Sequence, residues 1–163
     1  MDFVLMDTEG QPFDFRERTD GYVTLVFFGY TYCPDICPVH MANIGAVLKE
    51  ASPDVRGRVK VVFVTTDPER DTPEQIRTWL DNFDPSFIGL RGDMEKVNEI
   101  QVALGLPPAV KGEVEEDGSY LVGHSAYVLA FTSDNLAHLL YAFGTRQVDW
   151  ASDLPKLVAE NWE

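Results

Sequence analysis

A chain of 163 residues can build one ordinary hydrophobic core, and length alone gives no reason to divide it, so residues 1–163 read as a single domain. Against 27 acidic residues stand 13 basic ones, and the formal charge of −14 repels phosphate backbones and argues against a nucleic-acid partner. No apolar run approaches the roughly 18 residues of a membrane span, and Met1-Asp2-Phe3-Val4 lacks the basic start of a signal peptide. On this reading the chain is either cytoplasmic or a domain whose anchor or signal has been removed.

In chain order, Phe3 to Asp7 and Pro12 to Phe15 around Glu9-Gly10 predict a small hairpin. Tyr22 to Phe28 is apolar without alternation, the pattern of a strand buried on both faces. A helical pattern runs from Asp35 to Glu50, and Val59 to Thr65 predicts a second buried strand. Thr72 is an N-cap with Pro73 at the first helical position, so Glu74 to Phe83 reads as a helix. Phe87 to Leu90 is a short strand, and Asp93 caps a helix stopped by Gly105 and Pro107-Pro108.

Lys111 to Ser119 is acidic and reads as a loop. Tyr127 to Phe131 and Leu136 to Phe143 then predict a hairpin about Thr132-Ser133-Asp134-Asn135, and Val148 to Glu160 a closing helix. The order gives an α/β fold of the thioredoxin-like type: a central mixed sheet flanked by helices, with an N-terminal hairpin. In that arrangement reactive cysteines sit where the first long helix leaves a central strand.

Cys33 and Cys37 stand there, in Cys33-Pro34-Asp35-Ile36-Cys37-Pro38. Residues i and i+4 share a helix face with Cα atoms about 6 Å apart, close enough for a disulfide or for two sulfurs on one metal ion. A helix N-terminus stabilises thiolate, the form both chemistries require. A third ligand must come from His40, His124 or His138. His124 directly precedes the strand that faces the cysteine loop in such a sheet, His40 is a local competitor three residues after Cys37, and His138 reads as outward-facing. Two thiolates and one imidazole form a soft set that favours Cu(I), with zinc the alternative.

Taken together, the motifs resemble the Sco/SenC family. The resemblance rests on Phe28-Gly29-Tyr30-Thr31-Tyr32 leading into the cysteine segment, on Thr66-Asp67-Pro68-Glu69-Arg70-Asp71-Thr72, and on His124 before an apolar strand. It spans about Phe3 to Trp150. It implies copper, as Cu(I) or Cu(II), on Cys33, Cys37 and His124, and a metallochaperone role in assembling the dinuclear copper centre of cytochrome c oxidase subunit II. The copper domain of that subunit is the implied partner, with other copper donor proteins beside it. Members are tethered on the extracytoplasmic face, periplasmic or in the mitochondrial intermembrane space, by an N-terminal anchor. The chain departs from the resemblance at Gly123, where many members carry an acidic residue before the histidine.

The competing function is thiol–disulfide exchange by Cys33 and Cys37 alone, keeping the target cysteines of the oxidase subunit reduced. Thioredoxin-type reductases use Cys-x-x-Cys and a proline before the facing strand; here three residues separate the cysteines and Val122-Gly123-His124-Ser125 holds no proline. A peroxidase would need an activating arginine that the sequence does not place. Asp67, Arg70 and Asp71 read first as a capping turn with an internal Arg–Asp pair, and second as a loop beside the cysteines. Tyr30 and Tyr32 flank the cysteines as a shield or as ordinary packing.

Overall fold

Residues 1–162 are described by a computed structural model; residue 163, the last of the expected domain, lies outside the described residues. The elements are β1 (Val4–Asp7), β2 (Pro12–Asp14), α1 (Phe15–Thr19), β3 (Val23–Gly29), α2 (Ile36–Glu50), α3 (Pro53–Gly57), β4 (Val59–Thr65) and α4 (Pro73–Asp81). They continue with β5 (Ile88–Arg91), α5 (Met94–Ala103), β6 (Val110–Lys111), β7 (Val122–Gly123), β8 (Val128–Phe131), β9 (Ala137–Tyr141) and α6 (Gln147–Ala159).

Seven strands form one mixed sheet in the order β2-β1-β5-β4-β3-β8-β9. β3, β4 and β5 run parallel, while β8 lies antiparallel to β3 with Val26 opposite Leu129. Every residue of β3 is buried, as its strongly apolar, non-alternating run requires of a central strand. The N-terminal hairpin pairs Leu5 with Phe13 and joins the sheet through Met6 opposite Arg91.

Each face of the sheet carries its own core. On one, Leu25, Phe27, Val61 and Phe63 meet Met41 and Ile44 of α2, Ile76 and Leu80 of α4, and Trp150 and Leu154 of α6. On the other, Val26, Phe28, Val62 and Val64 meet Phe13, Phe15 and α5 through Val97 and Ile100. Burying each such side chain contributes about 1.5–3 kcal/mol. The fold is thioredoxin-like, a mixed sheet between helices.

The acidic stretch is a loop from Gly112 on, but its two ends pair. Val110 pairs with Gly123 and Lys111 with Val122, so β6 and β7 form a separate two-stranded hairpin whose connection is the acidic segment. Strands of two residues carry no apolar alternation, which is why composition alone reads a loop. The short helices α1 and α3 are likewise additions; Asp14 caps the first by accepting from the Glu17 amide, and Ser52 the second from the Val55 amide.

Candidate metal centre

β3 and β4 end side by side at the carboxyl edge of the parallel strands, where α/β sheets characteristically build their sites. From β3 the chain passes through Tyr30 to Asp35, with the Cys33 amide donating to the Tyr30 carbonyl at 3.2 Å, and enters α2. Cys37 sits in the first turn of α2 and is fully buried, while Cys33 lies just outside the helix and keeps 9% of its surface. The Cys37 amide, one of the helix's free first-turn donors, points at Cys33 Sγ from 3.5 Å.

His124 follows β7 and reaches the pair from across the sheet edge. Its Nε2 stands 3.4 Å from Cys37 Sγ and 4.0 Å from Cys33 Sγ, and all three donor atoms lie within 4.8 Å of one another. Donors about 2.0–2.3 Å from a shared ion, spread at 120°, stand roughly 3.6–4.0 Å apart. Both sulfur–nitrogen separations lie close to that spacing, so the three groups can close on a single trigonal metal ion. His124 Nδ1 lies 2.8 Å from the Ser125 carbonyl, a partner that only an N–H can satisfy, which leaves the Nε2 lone pair facing the sulfurs. The ring is held edge-on against Phe27 and Tyr30, with centroids at 5.7 and 5.6 Å.

The other histidines are engaged elsewhere. His40 is buried against Phe27 and Phe143, and its Nε2 lies 2.8 Å from the carbonyl of Ala126. Burial lowers its pKa, so the ring is neutral and donates to that carbonyl. His40 therefore pins the backbone just after His124 and does not join the donor set. His138 pairs with Asp134 at 2.8 Å and stacks on Trp162, at the far edge of the sheet.

The two thiols are electrostatically unequal. Hydrogen bonding from Cys37 pulls the Cys33 pKa far down, helped by the Cys37 and Asp35 amides against the opposing effect of burial. Burial pushes the Cys37 thiol up, and the hydrogen bond to Cys33 and its charge push it further. Cys33 is thus the thiolate and the accessible sulfur of the pair.

The turn after β4 lies against this site. Arg70 pairs with Asp67 at 2.6 Å, the internal pair expected of it, and Thr72 caps α4. Asp71 places this turn beside the cysteine loop. Its buried carboxylate accepts from the amide of Thr31 at 3.1 Å and from the hydroxyls of Thr31 and Thr65 at 2.6 Å each, fixing the loop that carries Cys33. Tyr30 is buried beside His124, while Tyr32 is 52% exposed. Sequence reasoning missed His40 as a backbone anchor, because the Ala126 carbonyl it finds is far along the chain.

Among the described residues, no helix is long and apolar enough to cross a membrane. Comparison with known proteins agrees with this geometry. The SCO1/SenC family pattern matches residues 1–159. A Stutzerimonas stutzeri protein described as copper-binding is 40% identical over 123 residues, which cover 74% of this chain and 58% of that protein. The mitochondrial protein SCO2 of Saccharomyces cerevisiae is 30% identical over 155 residues, 95% of this chain and 50% of its own length. This chain therefore spans about half to three-fifths of these relatives. Among solved structures, Bradyrhizobium japonicum ScoI with copper bound superposes with a TM-score of 0.84 at 31% identity, covering 96% of this chain and 98% of that one. With the pattern running through both cysteines and the histidine, the chain belongs to the SCO1/SenC family.

Proposed function

We propose that this single thioredoxin-like domain carries copper on Cys33, Cys37 and His124 and serves the assembly of the dinuclear copper centre in cytochrome c oxidase subunit II. The observation that carries the reading is the convergence of two sulfurs and one imidazole nitrogen within 4.8 Å. Two thiolates and a neutral imidazole are soft donors suited to Cu(I), and zinc would normally require a fourth ligand. The copper-bound structure of the Bradyrhizobium relative supports the choice of metal.

Copper is cargo in this reading. Cys37 is the buried anchor, whereas Cys33 and His124 keep contact with solvent. Three donors leave one side open, so an incoming ligand from the copper domain of the partner, or from a copper donor protein, can reach the same centre. The reading sets the domain on the extracytoplasmic side of a membrane, held by an N-terminal anchor. The mitochondrial assignment of the yeast relative supports one of its two compartments.

The inequality of the two thiols favours a second activity at the same atoms. The Cys33 thiolate would attack a disulfide of the partner, forming a mixed disulfide and releasing one partner thiolate. Cys37, losing its proton, would then displace the second partner sulfur and close the Cys33–Cys37 disulfide, so two electrons pass to the partner. Copper titration of the wild type beside His124→Ala and His40→Ala tests the primary reading. The wild type and His40→Ala should each bind one equivalent, His40→Ala no more than a few-fold more weakly, and His124→Ala should bind at least tenfold more weakly. Equal affinity for all three would overturn the ligand assignment.

A further inference from the structure

His124 hangs from a hairpin that pairs with no strand of the main sheet. A two-stranded hairpin alone is marginal in water, so the position of His124 depends on what ties β6 and β7 down. Burial of Tyr120 and Val122 in the core supplies one tie, and the turn after β4 supplies another. Arg70 Nη2 donates to the carbonyl of Tyr120, in the return arm of the hairpin, at 2.9 Å, and the guanidinium lies over the Tyr120 ring with its carbon 3.6 Å from the centroid. Arg70 Nε donates to Asp67 Oδ2 at 2.6 Å, and the Tyr120 hydroxyl donates to Asp67 Oδ1 at 2.7 Å, closing the contact into a ring of three residues.

The same guanidinium faces the cysteine loop. It lies 4.8 Å from the Tyr32 centroid and 5.8 Å from that of Tyr30, the residues that bracket Thr31 before Cys33. One planar cation therefore stands between the arm carrying His124 and the loop carrying the cysteines. Its neighbour Asp71 holds the loop from the same turn through Thr31.

We infer that Arg70 is a positioning residue that sets the spacing between His124 and the Cys33–Cys37 pair. It touches none of the three donor atoms and acts through Tyr120 and the tyrosines of the cysteine loop. The task needs a guanidinium. Directed donors on two edges and a flat face for stacking are properties a lysine ammonium lacks. The inference rests on the reading of Cys33, Cys37 and His124 as the copper ligands.

The test compares the full chain as wild type, Arg70→Ala, Arg70→Lys and His124→Ala. In the metal-free proteins, amide hydrogen exchange should accelerate at least tenfold across residues 110–123 in Arg70→Ala and stay unchanged across 36–50. With Cu(II), the nitrogen hyperfine coupling of His124 should weaken in Arg70→Ala and affinity should fall at least tenfold, toward His124→Ala. Arg70→Lys should melt near the wild type yet keep the fast hairpin exchange and weak nitrogen coupling, a pattern that general destabilisation would not give. It carries the test if Arg70→Ala does not fold. Wild-type exchange and coupling in Arg70→Lys, or in a folded Arg70→Ala, would overturn the inference while the loss in His124→Ala left the ligand reading standing. A His124→Ala protein with wild-type coupling and affinity would overturn both.

Discussion

A Cβ built on Gly29 would stand 2.7 Å from Cys37 Sγ, inside any normal contact distance. Gly29 ends β3 and is also pressed by Phe27 and Phe63, so the sulfur occupies the space the missing side chain leaves. Gly29→Ala should displace Cys37 and strain the core by about 1–3 kcal/mol. The expected outcome is a lower urea midpoint together with at least tenfold weaker copper binding. Unchanged affinity would mean that the Cys37 sulfur is free to move.

The unequal thiols predict an order of labelling. Thiolate is the reactive form, and a lowered pKa keeps it populated as the pH falls. Iodoacetamide should therefore modify metal-free Cys33 before Cys37, with a rate nearly flat from pH 8 to pH 6. An ordinary thiol slows about tenfold per pH unit over that range. In Cys37→Ala the strongest stabilising hydrogen bond is gone, so the labelling rate of Cys33 should regain its steep fall below pH 8. Peptide mapping of the alkylated protein reads both results.

His40 donates to the Ala126 carbonyl from a buried position between Phe27 and Phe143. His40→Ala opens a cavity and leaves that carbonyl unpaired, a combined loss of roughly 2–4 kcal/mol. Chemical denaturation should report that loss while copper stoichiometry stays at one. Loss of one copper donor in this variant would contradict the division of labour between the two histidines.

Gly123 is the position at which the resemblance implies an acidic residue. A Cβ there would meet the Val110 carbonyl oxygen at 3.6 Å, an ordinary contact, and the residue is exposed. Gly123→Asp should accordingly fold with stability within about 0.5 kcal/mol of the wild type. Thermal melting of the metal-free protein checks this.

Much of the architecture was legible because its signals are local. The strongly apolar, non-alternating segments of β3 and β4, the Thr72-Pro73 start of α4 and the Asp93 cap of α5 all appear where the sequence puts them. The grouping of three side chains was legible too: Cys33 and Cys37 share a short segment, and His124 precedes a core strand. What escaped were relations between distant segments. Nothing local tells Arg70 that its acceptor is the Tyr120 carbonyl, tells Asp71 that it holds Thr31, or tells His40 that it holds Ala126. Strands as short as β6 and β7 give no periodicity, so the hairpin that delivers His124 reads as a loop.

X-ray absorption of the Cu(I)-loaded protein probes the centre most directly, because sulfur and nitrogen scatterers separate by distance and strength. Two sulfurs at about 2.2–2.3 Å and one imidazole nitrogen near 2.0 Å are expected in the wild type, with the nitrogen lost in His124→Ala. A wild-type spectrum of sulfur alone, or one unaltered by His124→Ala, would contradict the ligand assignment.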